Sequence, residues 1–329
     1  MTKDVWVVAE KFQGRLNDIT LELIGKGREL AQAGEAKLAV VLLGCEVKGL
    51  VGELAGADVV WVADRPELRE FTSEAYSTAL EAALKDADPR IVLMGSTSAG
   101  LDLLSLISAR TGKPCLDNCT KLEVRDDRLF ATSQIYGGKI FAEVAVPEAT
   151  TLVAVVPGSF PKPETVAAGR PEVHEIPLPA TLPEVRTKFR KLIEPPPGDV
   201  DITQSSVLVA VGRGIQNADN LAMAKELAEA MGGAVCASRP VIDQGWLPLT
   251  RQVGKSGMTV KPKLYLAFGI SGAPEHWEGM KNSELIVAVN TDAKAPIFAG
   301  AHYGAVVDAL DLIPLLTEEV RKANMKKAG

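Results

Sequence analysis

The chain has 329 residues, 36 Lys and Arg against 42 Asp and Glu, a formal net charge of −6, and 47% hydrophobic but only 5% aromatic residues. That length has room for about two domains with separate cores, and the average charged fraction of 24% excludes a disordered or fibrous chain. Mild acidity and few aromatics exclude a general nucleic-acid binder, which needs a basic surface and stacking platforms.

In chain order, Val5–Ala9, Leu38–Leu43, Val59–Val62 and Ile91–Met94 are short apolar runs, with the helical patterns Leu16–Ala33, Thr72–Lys85 and Leu101–Thr111 between them. Continuous apolar strands alternating with helices predict a parallel sheet covered on both faces. The opening run is too short for a signal segment or a membrane span, and no other stretch reaches that length without charges. With four cysteines and no disulfide framework, a cytoplasmic protein with no membrane insertion is expected. Cys115 and Cys119 lie in a segment that reads as a loop, and no further Cys or His nearby completes a metal site.

After Lys113 the texture changes. Thr120–Val124, Leu129–Tyr136, Ile140–Val146 and Thr151–Pro157 read as strands, with Tyr136-Gly137-Gly138-Lys139 as a hairpin turn. They predict an antiparallel extension of the first sheet. From Pro161 prolines recur up to Pro195-Pro196-Pro197, where a linker is expected, and the cluster Arg186, Lys188, Arg190 and Lys191 reads as a solvated strand face. The division expected is 1–190, a linker over 191–204, and 205–329.

Beyond Asp201 a second α/β pattern begins. Val207–Val211 ends in Gly212-Arg213-Gly214, Ala234–Ala237 in Ser238-Arg239, Leu264–Phe268 in Gly269-Ile270-Ser271-Gly272, and Leu285–Val289 in Asn290. A helix over Asn220–Met231, a last strand over Val306–Ala309 and a terminal helix over Leu310–Asn324 complete the pattern. Ligands bind outside the carboxyl ends of such strands, so topology predicts a nucleotide-type site here. The Gly212–Gly214 turn lacks the full dinucleotide spacing and also suits a plain tight turn. Gly269–Ala273 suits backbone approach to a phosphate, with Ser271 as an added donor. Gly254-Lys255-Ser256 lacks the upstream glycine of a P-loop. His276 stands just past the phosphate-like turn, where either a ligand contact or a structural hydrogen bond is open to it. No catalytic triad or metal-ligand spacing can be assembled around it.

Together, Leu264–Gly272 with His276, Gly279, Ile286 and Asn290 resemble the signature of electron transfer flavoprotein alpha subunits. Ala237-Ser238-Arg239-Pro240, Gln252-Val253-Gly254, Ala295-Pro296-Ile297-Phe298 and the opening Val7-Val8-Ala9-Glu10 agree with it. The resemblance covers essentially the whole chain and is most specific over 205–310. It implies an α/β chain of two domains, each a mostly parallel sheet flanked by helices, the second a Rossmann-like FAD-binding fold. It implies an FAD-dependent electron carrier that pairs through its first domain with a beta subunit. Electrons would pass from acyl-CoA dehydrogenase-type flavoenzymes, as in fatty acid beta-oxidation, to a quinone-linked acceptor, with no catalytic residue and no metal. An NADH-oxidising bifurcating complex and a nucleotide-binding assembly paralogue are the alternatives.

Position by position, the resemblance assigns Arg213, Ser238 and Arg239 to the flavin side of the cofactor. Val253, Gly254, Lys255 and Ser256 match the ring-edge loop. Ser271, Gly272, Ala273, Pro274, Glu275 and His276 match the phosphate and flavin-carbonyl segment, and Asn290, Asp308 and Ala309 the adenosine end. A cation and a His near the ring would favour negative charge on reduced flavin. The sequence departs from the family pattern at Lys255-Ser256 (usually Gln-Thr), Pro274-Glu275 (usually Ile-Gln), Thr291 (usually Lys) and His302 (usually Asp). Lys255 and Glu275 would either pair with each other or face solvent.

Overall fold

A computed structural model describes residues 3–85, 87–163, 170–180, 182, 186–192 and 200–328. The chain divides into two compact units, Met1–Lys191 and Leu192–Gly329. The expected linker at Pro195–Pro197 lies outside the described residues.

In the first unit the strands are β1 Val5–Val8, β2 Lys11–Phe12, β3 Arg15–Leu16, β4 Leu38–Gly44, β5 Val59–Asp64, β6 Ile91–Gly95, β7 Cys115–Arg125, β8 Arg128–Ile135, β9 Ile140–Ala145, β10 Thr151–Val155 and β11 Glu172–Glu175. Helices α1 Asp18–Ala33, α2 Ser73–Leu84 and α3 Ser98–Thr111 connect the early ones. Nine strands form one sheet in the order β11-β5-β4-β1-β6-β10-β7-β8-β9. It is parallel from β11 to β7 and antiparallel across β7, β8 and β9. Alternate side chains of β1 sort to opposite faces: Val5 and Val7 join the core under α1, while Trp6 and Val8 join the core with Leu80, Leu103 and Ile107. Burial on both faces is why these strands read as unbroken apolar runs.

The structure corrects several expectations here. Cys115 and Cys119 stand on β7, not in a loop, and the Cys119 thiol is buried, which pushes its pKa up to about 11. Thr151–Val155 is not part of the antiparallel extension but lies between β6 and β7, parallel to both. Residues 186–191 are exposed and carry no strand. Strand β11 in the proline-rich stretch was not foreseen. It runs parallel to β5 as the sheet edge.

The second unit holds β12 Val207–Val211, α4 Leu221–Ala230, β13 Ala234–Ala237, α5 Arg239–Asp243, β14 Leu264–Phe268, α6 Pro274–Met280, β15 Leu285–Asn290, β16 Tyr303–Val306 and α7 Ala309–Ala328. Its five strands are all parallel, in the order β13-β12-β14-β15-β16. The last strand is Tyr303–Val306 and not the expected Val306–Ala309. Counted within the unit, the order is 2-1-3-4-5, a doubly wound sheet in which the order of strand addition reverses between β12 and β14. Val209, Val211, Leu266 and Phe268 pack with α4 and α7, while Leu208, Ala210, Tyr265 and Ala267 face Met280 of α6 and Ile297. No helix among the described residues is long and apolar enough to cross a membrane.

Candidate functional site

The turns after β12 and β14 interlock at the point where the strand order reverses. Gly212 N–H donates to the Phe268 carbonyl at 2.8 Å, and Gly214 N–H to the Gly269 carbonyl at 3.1 Å. Gly269 has φ +62°, and a Cβ there would lie 2.6 Å from Gly214 Cα. Only glycine meets both the conformation and the contact. The Gly212–Gly214 motif is thus a tight turn, and its work is to seat two backbones against each other.

Over this floor opens a pocket of about 510 Å³. Six of the sixteen expected residues line it: Arg213, Ser238, Ser271, Asn290, Asp308 and Ala309. Gln216 and Asp292, which no sequence motif singled out, also contribute, as do Thr291 and Pro296. Gln216 has φ +73°, a conformation uncommon outside glycine. Its place in the turn after Gly214 was the only signal available in the sequence. Asn290 is partly committed to the protein: its Nδ2 donates to the Ile270 carbonyl and its Oδ1 accepts from Asp292 N–H, both at 2.9 Å. Asp308 Oδ1 accepts from Leu310 N–H at 2.9 Å and so caps α7.

A second group gathers beside the same carboxyl edge of the sheet. The loop Val253–Ser256 follows Gln252, which bridges to Ala237 at the end of β13. The loop is docked on the start of α6: Lys255 N–H donates to the Glu275 carbonyl at 2.7 Å. A Cβ on Gly254, at φ +144°, would lie 2.9 Å from that same oxygen. Lys255 and Glu275 therefore meet through backbone, and their side chains are exposed. The buried Gln252 donates from Nε2 to Ser256 Oγ at 3.0 Å. With that lone pair taken, the Ser256 hydroxyl proton is free to be donated to a ligand acceptor. Ala273, Pro274 and Glu275 are exposed at the start of α6, and Gly272 packs against Ile297. Arg239 is exposed at the start of α5, with its Nε 3.4 Å from Asp243.

Of the two roles open to His276, the structure shows the hydrogen-bonded one. Its side chain turns inward, with Nε2 3.0 Å from the Tyr265 hydroxyl and Nδ1 3.0 Å from the Val253 carbonyl. Burial pushes its pKa down to about 4, so the ring is neutral near pH 7. His302, a departure from the family pattern, accepts Ile286 N–H on Nδ1 at 2.9 Å, a bond that a carboxylate oxygen could also make. Among the described residues no group of three or more His, Cys, Asp or Glu could hold a metal ion.

Comparison with known proteins bears on both units. The electron transfer flavoprotein domain matches residues 5–181, and the electron transfer flavoprotein FAD-binding domain matches residues 201–281. The chain is 38% identical to "Protein FixB" of Clostridium saccharobutylicum over 325 residues, covering 97% of each. It is 37% identical to "Electron transfer flavoprotein subunit alpha" of Megasphaera elsdenii over 327 residues, again 97% of each. It is 35% identical to "Acryloyl-CoA reductase electron transfer subunit beta" of Anaerotignum propionicum over 352 residues, covering 97% of this chain and 96% of that one.

Proposed function

The chain belongs to the electron transfer flavoprotein alpha-subunit family, and on that premise we propose that it binds FAD and carries electrons as one half of a heterodimer with a beta subunit. The observation that supports this most is the pocket at the strand-order reversal of the second unit, together with the preorganised loop beside it. Its donor set fits a dinucleotide: a guanidinium from Arg213, hydroxyls from Ser238 and Ser271, and a floor of close-packed glycine backbone.

In this reading Arg213 and Ser238 donate toward the flavin side of the cofactor and Ser271 to its phosphate linkage, with Gly272 and Ala273 beside it. Asn290, Asp308 and Ala309 line the adenosine end. Arg239 and Val253–Ser256 run along the flavin ring, with Pro274, Glu275 and His276 behind them. When bound, FAD supplies reversible electron transfer at its ring. The chain's own part is to hold the ring, orient the Ser256 hydroxyl toward it through Gln252, and set the surrounding charge. We assign the electron donor to acyl-CoA-oxidising flavoenzymes, the acceptor to the quinone side and the chain to the cytoplasm. The Anaerotignum relative, named as an electron transfer subunit of acryloyl-CoA reductase, supports the acyl-CoA link.

The test is co-expression with a beta subunit and purification without added flavin. The expected product is a yellow complex that releases FAD on acid treatment. A colourless complex that takes up no added FAD, or one that retains only AMP, would overturn the proposal.

A further inference from the structure

Three buried side chains from three elements form one hydrogen-bonded chain beneath the loop 253–256. Cys236 on β13 lies with Sγ 3.9 Å from the Tyr265 hydroxyl of β14. That hydroxyl lies 3.0 Å from Nε2 of His276 on α6, and Nδ1 of the same ring lies 3.0 Å from the Val253 carbonyl. The direction of the chain follows from its ends. A backbone carbonyl only accepts, so Nδ1 must carry the proton. In the neutral ring Nε2 then holds a lone pair, and the Tyr265 hydroxyl must donate to it. The phenol oxygen keeps its own lone pairs for the weak Cys236 S–H donor. Tyr265 is fully buried and His276 nearly so, so each of these groups depends on the others.

The far end of the chain is the candidate site. Val253 is clamped on both sides: its N–H donates to the Ala237 carbonyl at 2.9 Å, and its C=O is held by His276. Gly254, Lys255 and Ser256 project from that clamped residue.

We propose that Tyr265 is a positioning residue of the cofactor site: by donating to Nε2 it selects the Nδ1-protonated form of His276, which fixes the Val253 carbonyl and with it the loop 254–256. The proposal rests on the reading that FAD binds along this loop. Loss of the tyrosine hydroxyl leaves Nε2 without a donor, and the ring is then free to move its proton to Nε2 and release Val253. Tyr265→Phe keeps the buried ring and removes only the donor.

The experiment uses the alpha–beta complex with histidine labelled in both ring nitrogens. The wild type is expected to show Nδ1 protonated and Nε2 bare at His276, and Tyr265→Phe to show a population protonated at Nε2. FAD release from Tyr265→Phe is expected to be faster by on the order of tenfold, the weight of one buried hydrogen bond. His276→Asn puts an amide nitrogen at the δ position, where it can donate to Val253 without help from Tyr265. Adding Tyr265→Phe to His276→Asn should therefore not speed FAD release further. A wild-type complex that binds FAD with Nε2 protonated would overturn this proposal alone. Equal release rates for wild type and Tyr265→Phe, or an undiminished effect in the His276→Asn background, would overturn it too. A wild-type complex that takes up no FAD would instead sink the functional reading on which it rests.

Discussion

Arg239 and Asp243 show how a single charge can be present and yet be restrained. Both side chains are largely exposed, so their ion pair, one helical turn apart, adds little to stability. Its weight lies in the field near the proposed flavin. Arg239→Ala is expected to lower the flavin midpoint potential, because a cation is lost beside the reduced ring. Asp243→Asn is expected to raise it, because the same cation is freed. An exposed charge pair is worth about 1 kcal/mol at close range, roughly 40 mV for one electron. Potentiometric titration of both variants reads the two signs, and unchanged potentials in both would mean that Arg239 faces away from the ring. At this scale the sequence was only partly legible. Its residue types mark His276 and Ser256 as polar groups at strand-end turns. Gln252 stands only four residues before Ser256, but nothing local pairs them, and only the fold brings Tyr265 and Val253 to the His276 ring. Burial then keeps the His276 ring neutral.

The elements owe their limits to local chemistry that can be tested one by one. Asp308 accepts Leu310 N–H on its carboxylate and Leu312 N–H on its carbonyl, which satisfies two donors at the start of α7. Asp308→Ala is expected to destabilise the second unit by about 1 kcal/mol, and Asp308→Asn by less, since the amide oxygen can still cap. Thermal unfolding of both variants checks this, and equal losses would show that charge and not capping is what matters there. Helices and central strands were readable because each buries a continuous face, which leaves a periodic pattern in the residues. Strand β7 was misread at its start because Cys115–Asn118 carries mixed polar and apolar residues that are at most half-buried, so no apolar run marks it. Strand β11 was missed because an exposed edge strand with the burial of Glu172–Glu175 has no apolar run to announce it.

For the molecule as a whole, the first unit carries a device whose effect on stability can be read from pH. Glu10 ends the segment after β1 and lies in the crevice between β1 and β6, where Thr97 Oγ1 stands 2.9 Å from each of its oxygens. Burial raises its pKa above the ordinary value, outweighing the hydrogen bonds that lower it. A carboxyl whose folded pKa is raised stabilises fully below its unfolded value, and that contribution is lost as pH rises through the folded value. Glu10→Gln can still accept from Thr97 but cannot ionise. Its melting temperature relative to wild type is therefore expected to rise from pH 4 to pH 7.5, and a difference that stays constant would contradict the assignment. Taken by itself, the sequence determined the α/β class, the alternation of strands and helices in each half, and the family signature, because these follow from periodicity and short contiguous motifs. The tertiary structure alone decided the strand order, the reversal point that opens the pocket, the inward turn of His276 and the bond that joins it to Tyr265. Those depend on which distant residues share a buried, low-dielectric space, and no local pattern encodes that.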